Sequence, residues 1–265
     1  MKNLMKAQWF QLLKSKKILI LTVLVTLFTQ LVEVFSPLIN GDPAMSFGVF
    51  LASYGSSGNS LFTLSISAAA GVIIAIICTG GDYKDKTINY EIMNGYTRLE
   101  IFAAKSIIAT IVGLAIYVVT LVIPCTVNVL LYGFGTELEV SEVMLRFFLS
   151  LFVEIRLIWI FIAFTYFIRV FWIGIIIAAI YFLSAPELLG GLSNHSYLLG
   201  MSTFGKLSEY VSWINYTLGD GVEYIYIYGR KFAMGESIAV ILSSLGIGLV
   251  ALFIGYFFFK KDDLQ

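Results

Sequence analysis

The sequence predicts an all-α integral membrane protein, one transmembrane domain over residues 1–265 with six membrane-spanning helices. Three observations predict it. Apolar residues make up 59% of the chain, mean hydropathy is +0.90, and charged residues make up 13%, against about 25% in soluble domains. Apolar runs near the ~20 residues that a spanning helix needs recur at about 18–36, 59–79, 106–132, 143–168, 170–189 and 238–259. The charges are also sorted. Lys2, Lys6, Lys14, Lys16, Lys17, Lys84, Lys86, Arg98, Lys105, Arg169, Lys260 and Lys261 fall on one side of this layout, 12 of the 17 basic residues. A Lys/Arg excess marks the cytoplasmic side, so both termini and residues 80–105 are expected there. Net charge is zero, so no global field argues for a nucleic-acid partner.

In chain order, residues 1–17 form an interfacial leader. Within it, 4–15 read as an amphipathic helix, with Met5, Trp9, Phe10, Leu12 and Leu13 on one arc and Gln8, Gln11, Lys14 and Ser15 on the other. Such a helix lies in the headgroup layer with Trp9 at the interface. No small-x-small cleavage site follows the 18–36 run before Ser36-Pro37, so it reads as an uncleaved first span. Cys78 and Cys125 sit in apolar runs near opposite membrane faces and are expected to stay unpaired. The fourth and fifth runs are together too long for one crossing, and Arg169 is the natural turn between them. Residues 187–237 are too polar to span, yet Tyr197, Tyr210, Trp213, Tyr216, Tyr224, Tyr226 and Tyr228 punctuate them. Short re-entrant or interfacial elements are expected there, with substrate contact and simple anchoring both open.

Between the second and third spans, GGDYKDKTINYEIMNGYTRLEIFAAK (80–105) holds eight charged residues flanked by uncharged runs. A connector of this length needs its own structure or a function. Gly80-Gly81 is expected to end the second span. A short helix follows over DYKDKTINYEIM, with Ile88 and Ile92 four apart on one face. Asn94-Gly95 breaks it. Thr97 and Glu100 then form a capping box, launching a helix that runs straight into the third span. Mixed charge with an exposed Ile/Met/Tyr surface suits a polar-rimmed protein interface; a solvated loop whose lysines only set topology is the plainer reading.

Asp82-Tyr83-Lys84-Asp85-Lys86-Thr87, then Asn94-Gly95-Tyr96-Thr97-Arg98, then Ile101-Phe102-Ala103-Ala104-Lys105, resembles the pattern of ABC-2 type transporter permeases. That family places an acidic residue five before a Thr, then a small-x-Ser/Thr-Arg turn, then a Lys heading the third span. Here Asp82 stands where Glu is usual and Lys86 where Gly is usual. The interfacial leader, six spans, tight fourth turn and long outer segment are similar too. The resemblance implies a type V-like exporter permease, in which residues 80–105 form a coupling helix seated on a separate ATP-binding subunit. Asp82, Lys86, Thr87, Ile88, Glu91, Gly95, Thr97, Arg98 and Lys105 would carry that coupling, with Arg98 pairing to a partner carboxylate or carbonyl. It implies two copies of the ATP-binding subunit, which hold ATP and Mg, and a second permease chain, identical or a sister. It also implies a bacterial cell membrane with lipid around the spans, and short outer helices forming a gate. An antimicrobial or other amphipathic peptide is the expected substrate, as in immunity to such peptides; drugs, lipids or ions are alternatives.

No G-x-x-x-x-G-K-[ST] occurs, so no phosphate-cradling loop is expected on this chain. The single histidine, His195, cannot make an H-E-x-x-H metal site. Neither a catalytic set nor a metal cluster can be assembled, and the chain is expected to be no enzyme and to bind no cofactor itself. Three charges remain inside the fourth span: Arg146, Glu154 and Arg156. Intramembrane charge costs at least ~2.5–3.5 kcal/mol and marks a functional candidate. Glu154 and Arg156, two residues apart, point to nearly opposite sides of a helix. Either lines a translocation path or subunit interface, or both serve interhelical packing with Arg146 snorkelling outward. An ATP-independent channel or carrier using Glu154 and Arg156 is the competing function class, and a non-transporting scaffold a third.

Overall fold

A computed structural model describes residues 2–13, 59–84, 87–132, 140–170, 172–182, 211–218, 221–228 and 234–261, together with short helical stretches inside 16–31, of which 22–28 is the longest. The elements are α1 (Lys2–Leu13), α2 (Asn59–Lys84), α3 (Thr87–Met93), α4 (Arg98–Tyr132), α5 (Val140–Ile168), α6 (Trp172–Phe182), the strands β1 (Val211–Leu218) and β2 (Gly221–Tyr228), and α7 (Met234–Lys260). Among the described residues, three stretches are long and apolar enough to cross a membrane: Arg98–Ile123, Met144–Ile168 and Met234–Lys260. The described apolar parts of α2 and α6, Ile66–Gly81 and Trp172–Phe182, are shorter. By length and composition, then, the chain is a membrane protein built on helices. Residues 18, 21, 29, 30 and 32–36 of the predicted first span lie outside the described residues, as do 171 and 183–189 of the fifth.

One expectation about a helix end is corrected. α2 does not stop at Gly80-Gly81 but continues to Lys84; a helical Gly costs only ~1 kcal/mol, and 26 residues of continuous backbone bonding outweigh two of them. As the capping box predicts, the helix launched at Arg98 runs without a break through the apolar run that follows, giving the 35-residue α4. Between α5 and α6 the chain turns at Arg169, whose φ of 63° is left-handed and whose N–H still donates to the Thr165 carbonyl at 2.9 Å. The described part of residues 187–237 before α7 is an antiparallel hairpin, with Trp213 opposite Tyr226 and Leu218 opposite Gly221. Strands replace the short outer helices expected there; Val, Ile, Tyr and Trp, the residue types that favour strands, crowd both stretches.

Helices in lipid gain little from hydrophobic burial against one another, so close packing at small residues decides the arrangement. α7 runs parallel to α5 and turns Val240, Ser244, Gly248, Gly255 and Phe259 toward the bundle. A Cβ on Gly248 would lie 2.6 Å from the Trp159 ring, and one on Gly255 would lie 2.9 Å from the Ala163 Cα. Trp159 thus lies over the Gly248 backbone while its indole N–H donates to Thr110 Oγ1 of α4 at 3.0 Å, joining three helices. α2 and α4 cross antiparallel at Gly71 and Gly113, where a Cβ on each would meet the other's carbonyl oxygen at 2.8 and 2.9 Å. At one end of the bundle Phe102, Tyr166, Tyr256 and Phe259 form an aromatic cluster, with ring centroids 4.9 to 5.8 Å apart.

Gly248→Leu should overfill the α5–α7 seam by ~1–3 kcal/mol. A lowered thermal unfolding midpoint of the purified chain in detergent is expected, with little change for Gly246→Leu, whose Cβ would meet open space.

Candidate functional site

The segment expected to dock a partner is a built platform at the end of the bundle that carries the aromatic cluster. α3 ends in a Schellman turn: the Tyr96 N–H donates to the Glu91 carbonyl at 3.3 Å and the Gly95 N–H to the Ile92 carbonyl at 2.9 Å. Gly95 sits at φ 86°, the left-handed position this motif assigns to glycine. The capping box then forms in full. The Thr97 N–H and hydroxyl both donate to Glu100 Oε2 at 3.0 Å, and the Glu100 N–H donates back to Thr97 Oγ1 at 3.3 Å. Turn and cap together fix the angle between α3 and α4.

Behind the platform, Lys105 Nζ meets Glu91 Oε2 at 3.2 Å, and the Gln8 amide of α1 donates to Glu91 Oε1 at 3.2 Å. Glu91 therefore ties α1, α3 and α4 at one carboxylate. Ile88 is buried with Leu4, Ile101 and Phe102, and Ile92 packs on the same cluster. Two expectations change here. The isoleucines belong to the inner face, leaving Tyr90 (67% exposed) and Met93 (82%) outward, with Leu99 exposed in the first turn of α4. Gln8 faces the protein while Trp9 and Phe10 of α1 stay exposed, because burying Leu4 and Met5 against α4 and α3 turns that arc inward. Arg98 also finds a partner within the chain: its Nη1 donates to the Lys260 carbonyl, the C-terminal end of α7, at 2.6 Å, where a cation suits the helix dipole. Asp82 is helical at the end of α2, and Thr87 begins α3; their side chains, and Lys86, lie outside the described residues.

The second candidate lies at mid-length of α5. Glu154 is fully buried, and neither carboxylate oxygen has a hydrogen-bond partner among the described residues. Its Oε1 stands over the α2–α4 crossing, 2.5 Å from where a Gly71 Cβ would be. Arg156 is buried too, on the other side of α5, with its Cα 3.4 Å from the Gly248 Cβ position and its guanidinium in electrostatic range of Tyr181 of α6. The two do not pair, as their spacing predicts. Arg146 does not snorkel; it is 3% exposed, on the same stripe of α5 as Ser150 and Glu154.

Sequence reasoning singled out Glu154 but not its surroundings, Ser67, Gly71, Gly113, Tyr117 and Ser150. The signal present was a four-residue spacing of small or polar residues on each of three apolar runs: Ser67–Gly71, Gly113–Tyr117 and Ser150–Glu154. Compared with family models, curated proteins and solved structures, the chain matches none.

Glu91→Ala should leave the Lys105 ammonium buried without its carboxylate, a loss of ~3–5 kcal/mol for a broken buried pair. Amide hydrogen exchange over 87–93 is expected to accelerate at least tenfold. Adding Lys105→Met to that variant should restore part of the protection.

Proposed function

We propose that this chain is the membrane-embedded permease subunit of an ATP-driven ABC exporter of the ABC-2 type. In this reading it moves an antimicrobial or other amphipathic peptide out of the cell or membrane. The observation that carries the proposal is the contrast between the two faces of α3. Its inner face is fixed through Ile88, Ile92 and Glu91, while Tyr90 and Met93 stand out from the protein. A large aromatic and a methionine held outward on a braced helix suit the centre of a protein interface, where such residues are enriched. Bracing also gives the helix a mechanical use. A force applied at Tyr90 and Met93 passes through Glu91–Lys105 into the third span and through Arg98 into the end of α7. Two such chains with two ATP-binding subunits, which supply ATP and Mg, would complete the transporter.

Arg98→Glu is a poor test of docking, since Arg98 also holds the Lys260 carbonyl. Met93→Glu and Tyr90→Asp alter only exposed positions. Each should leave the unfolding midpoint of the chain unchanged, remove a stoichiometric ATPase that co-purifies with the natural sequence, and abolish peptide efflux from cells. Efflux that persists without an ATPase and follows an ion gradient would replace this reading with that of a carrier.

A further inference from the structure

Around Glu154 the three central helices stack in two layers. The first holds Gly71 of α2, Gly113 of α4 and Glu154 of α5. The second, one turn away toward the end of the bundle where α5 begins, holds Tyr117 and Ser150, and Ser67 stands one turn before Gly71 on α2, at the same level by the parallel sense of α2 and α5. The four-residue spacing within each helix and the parallel or antiparallel sense of each pair bring these six positions together. The Tyr117 hydroxyl donates to Ser150 Oγ at 2.8 Å, and Ser150 Oγ donates to the Phe147 carbonyl at 2.7 Å. Ser67 Oγ is fully buried and, like both Glu154 oxygens, has no partner among the described residues. Glycine at 71 is what admits the carboxylate: a Cβ there would fall 2.5 Å from Glu154 Oε1 and 2.8 Å from the Gly113 carbonyl oxygen.

We infer that these residues form a binding site for one small monovalent cation, a proton or sodium ion, with Glu154 supplying the single negative charge. The ligand class follows from the charge and the atoms. A buried carboxylate with nothing opposite it is expensive in low dielectric and calls for one compensating positive charge. One carboxylate, hydroxyl oxygens and nearby carbonyl oxygens match a hard monovalent cation, whereas calcium takes six to eight oxygens and usually several carboxylates. The basic residues of the same helix do not fill the role: neither Glu154 oxygen has a hydrogen-bond partner among the described residues, the Arg156 Cα lies on the α7 side of α5, and Arg146 stands eight residues off, roughly 12 Å along the axis. Among the described residues, the other titratable groups near Glu154 are Tyr117 of α4 and Tyr181 of α6. The facing positions of α2, Ser67 and Gly71, and the buried face of α7 bring none. The inference stands on the helix crossing alone and is independent of any ATP-binding partner.

The test uses the purified chain in detergent micelles. Thermal unfolding is followed across pH at constant salt, and across sodium concentration at constant pH and ionic strength with choline as the balancing cation. The natural sequence should gain several degrees with sodium or with acid, and Glu154→Gln, which keeps the shape, should lose that gain. A sodium effect matched by binding of radiolabelled sodium identifies the metal ion. A pH effect indifferent to sodium, accompanied by a carboxylic-acid infrared band that Glu154→Gln removes, identifies the proton. If Glu154→Gln does not assemble, Ser67→Ala and Ser150→Ala should weaken sodium binding or move the infrared band. The proposal is overturned if the natural sequence responds to neither cation, if Glu154→Gln responds just as it does, or if both serine variants leave binding and band unchanged.

Discussion

Everything in the bundle depends on backbone meeting backbone at Gly71 and Gly113. Inside a bilayer the surrounding lipid is as apolar as the side chains, so helices do not associate to escape water; they associate where they fit. At this crossing each glycine leaves space for the other's carbonyl oxygen. The same approach seats Ile158 against Gly113 and Glu154 against Gly71. The seam between α5 and α7, made at Gly248 and Gly255, repeats the device on the other side of α5. α5 is thus held along two stripes, and its two central charges, Glu154 and Arg156, each face one of them.

The helices were legible because lipid imposes a simple rule: about twenty apolar residues, then charge. Hence α4, α5 and α7 lie where hydropathy puts them, and the cap at Thr97–Glu100 and the break at Gly95 follow from local backbone chemistry that needs no tertiary knowledge. What escaped were features fixed by neighbours. Gly80-Gly81 read as a stop, but nothing nearby competes for the backbone of a long helix there. Ile88 looked like part of an exposed surface because a seven-residue helix does not announce which side the bundle will cover. Gln8 was placed on the solvent arc because apolar periodicity alone ranks an amide as outward, and only the carboxylate of Glu91, 83 residues away, makes the inward position favourable.

The candidate sites show the same division. Glu154 stood out as a carboxylate in an apolar run, but its company on two other helices depends on which turns meet, and spacing of small residues proposes many meetings for each that occurs. The hairpin at 211–228 was missed in conformation: aromatic residues between glycines suit an interfacial segment in any secondary structure, so composition does not choose its form. In the platform at the other end, each element is short, and what stiffens it is polar: a carboxylate shared by an amide and an ammonium, and a guanidinium on the end of a helix.

That last contact orders events in time as well as space. Arg98 is synthesised well over a hundred residues before the carbonyl it holds, at Lys260, so the bond from the α3–α4 turn to α7 is absent in a nascent chain until the final helix has been made. A chain halted before α7 therefore carries the α3–α4 turn without this anchor, and the turn reaches its full set of contacts only when the last helix is in place.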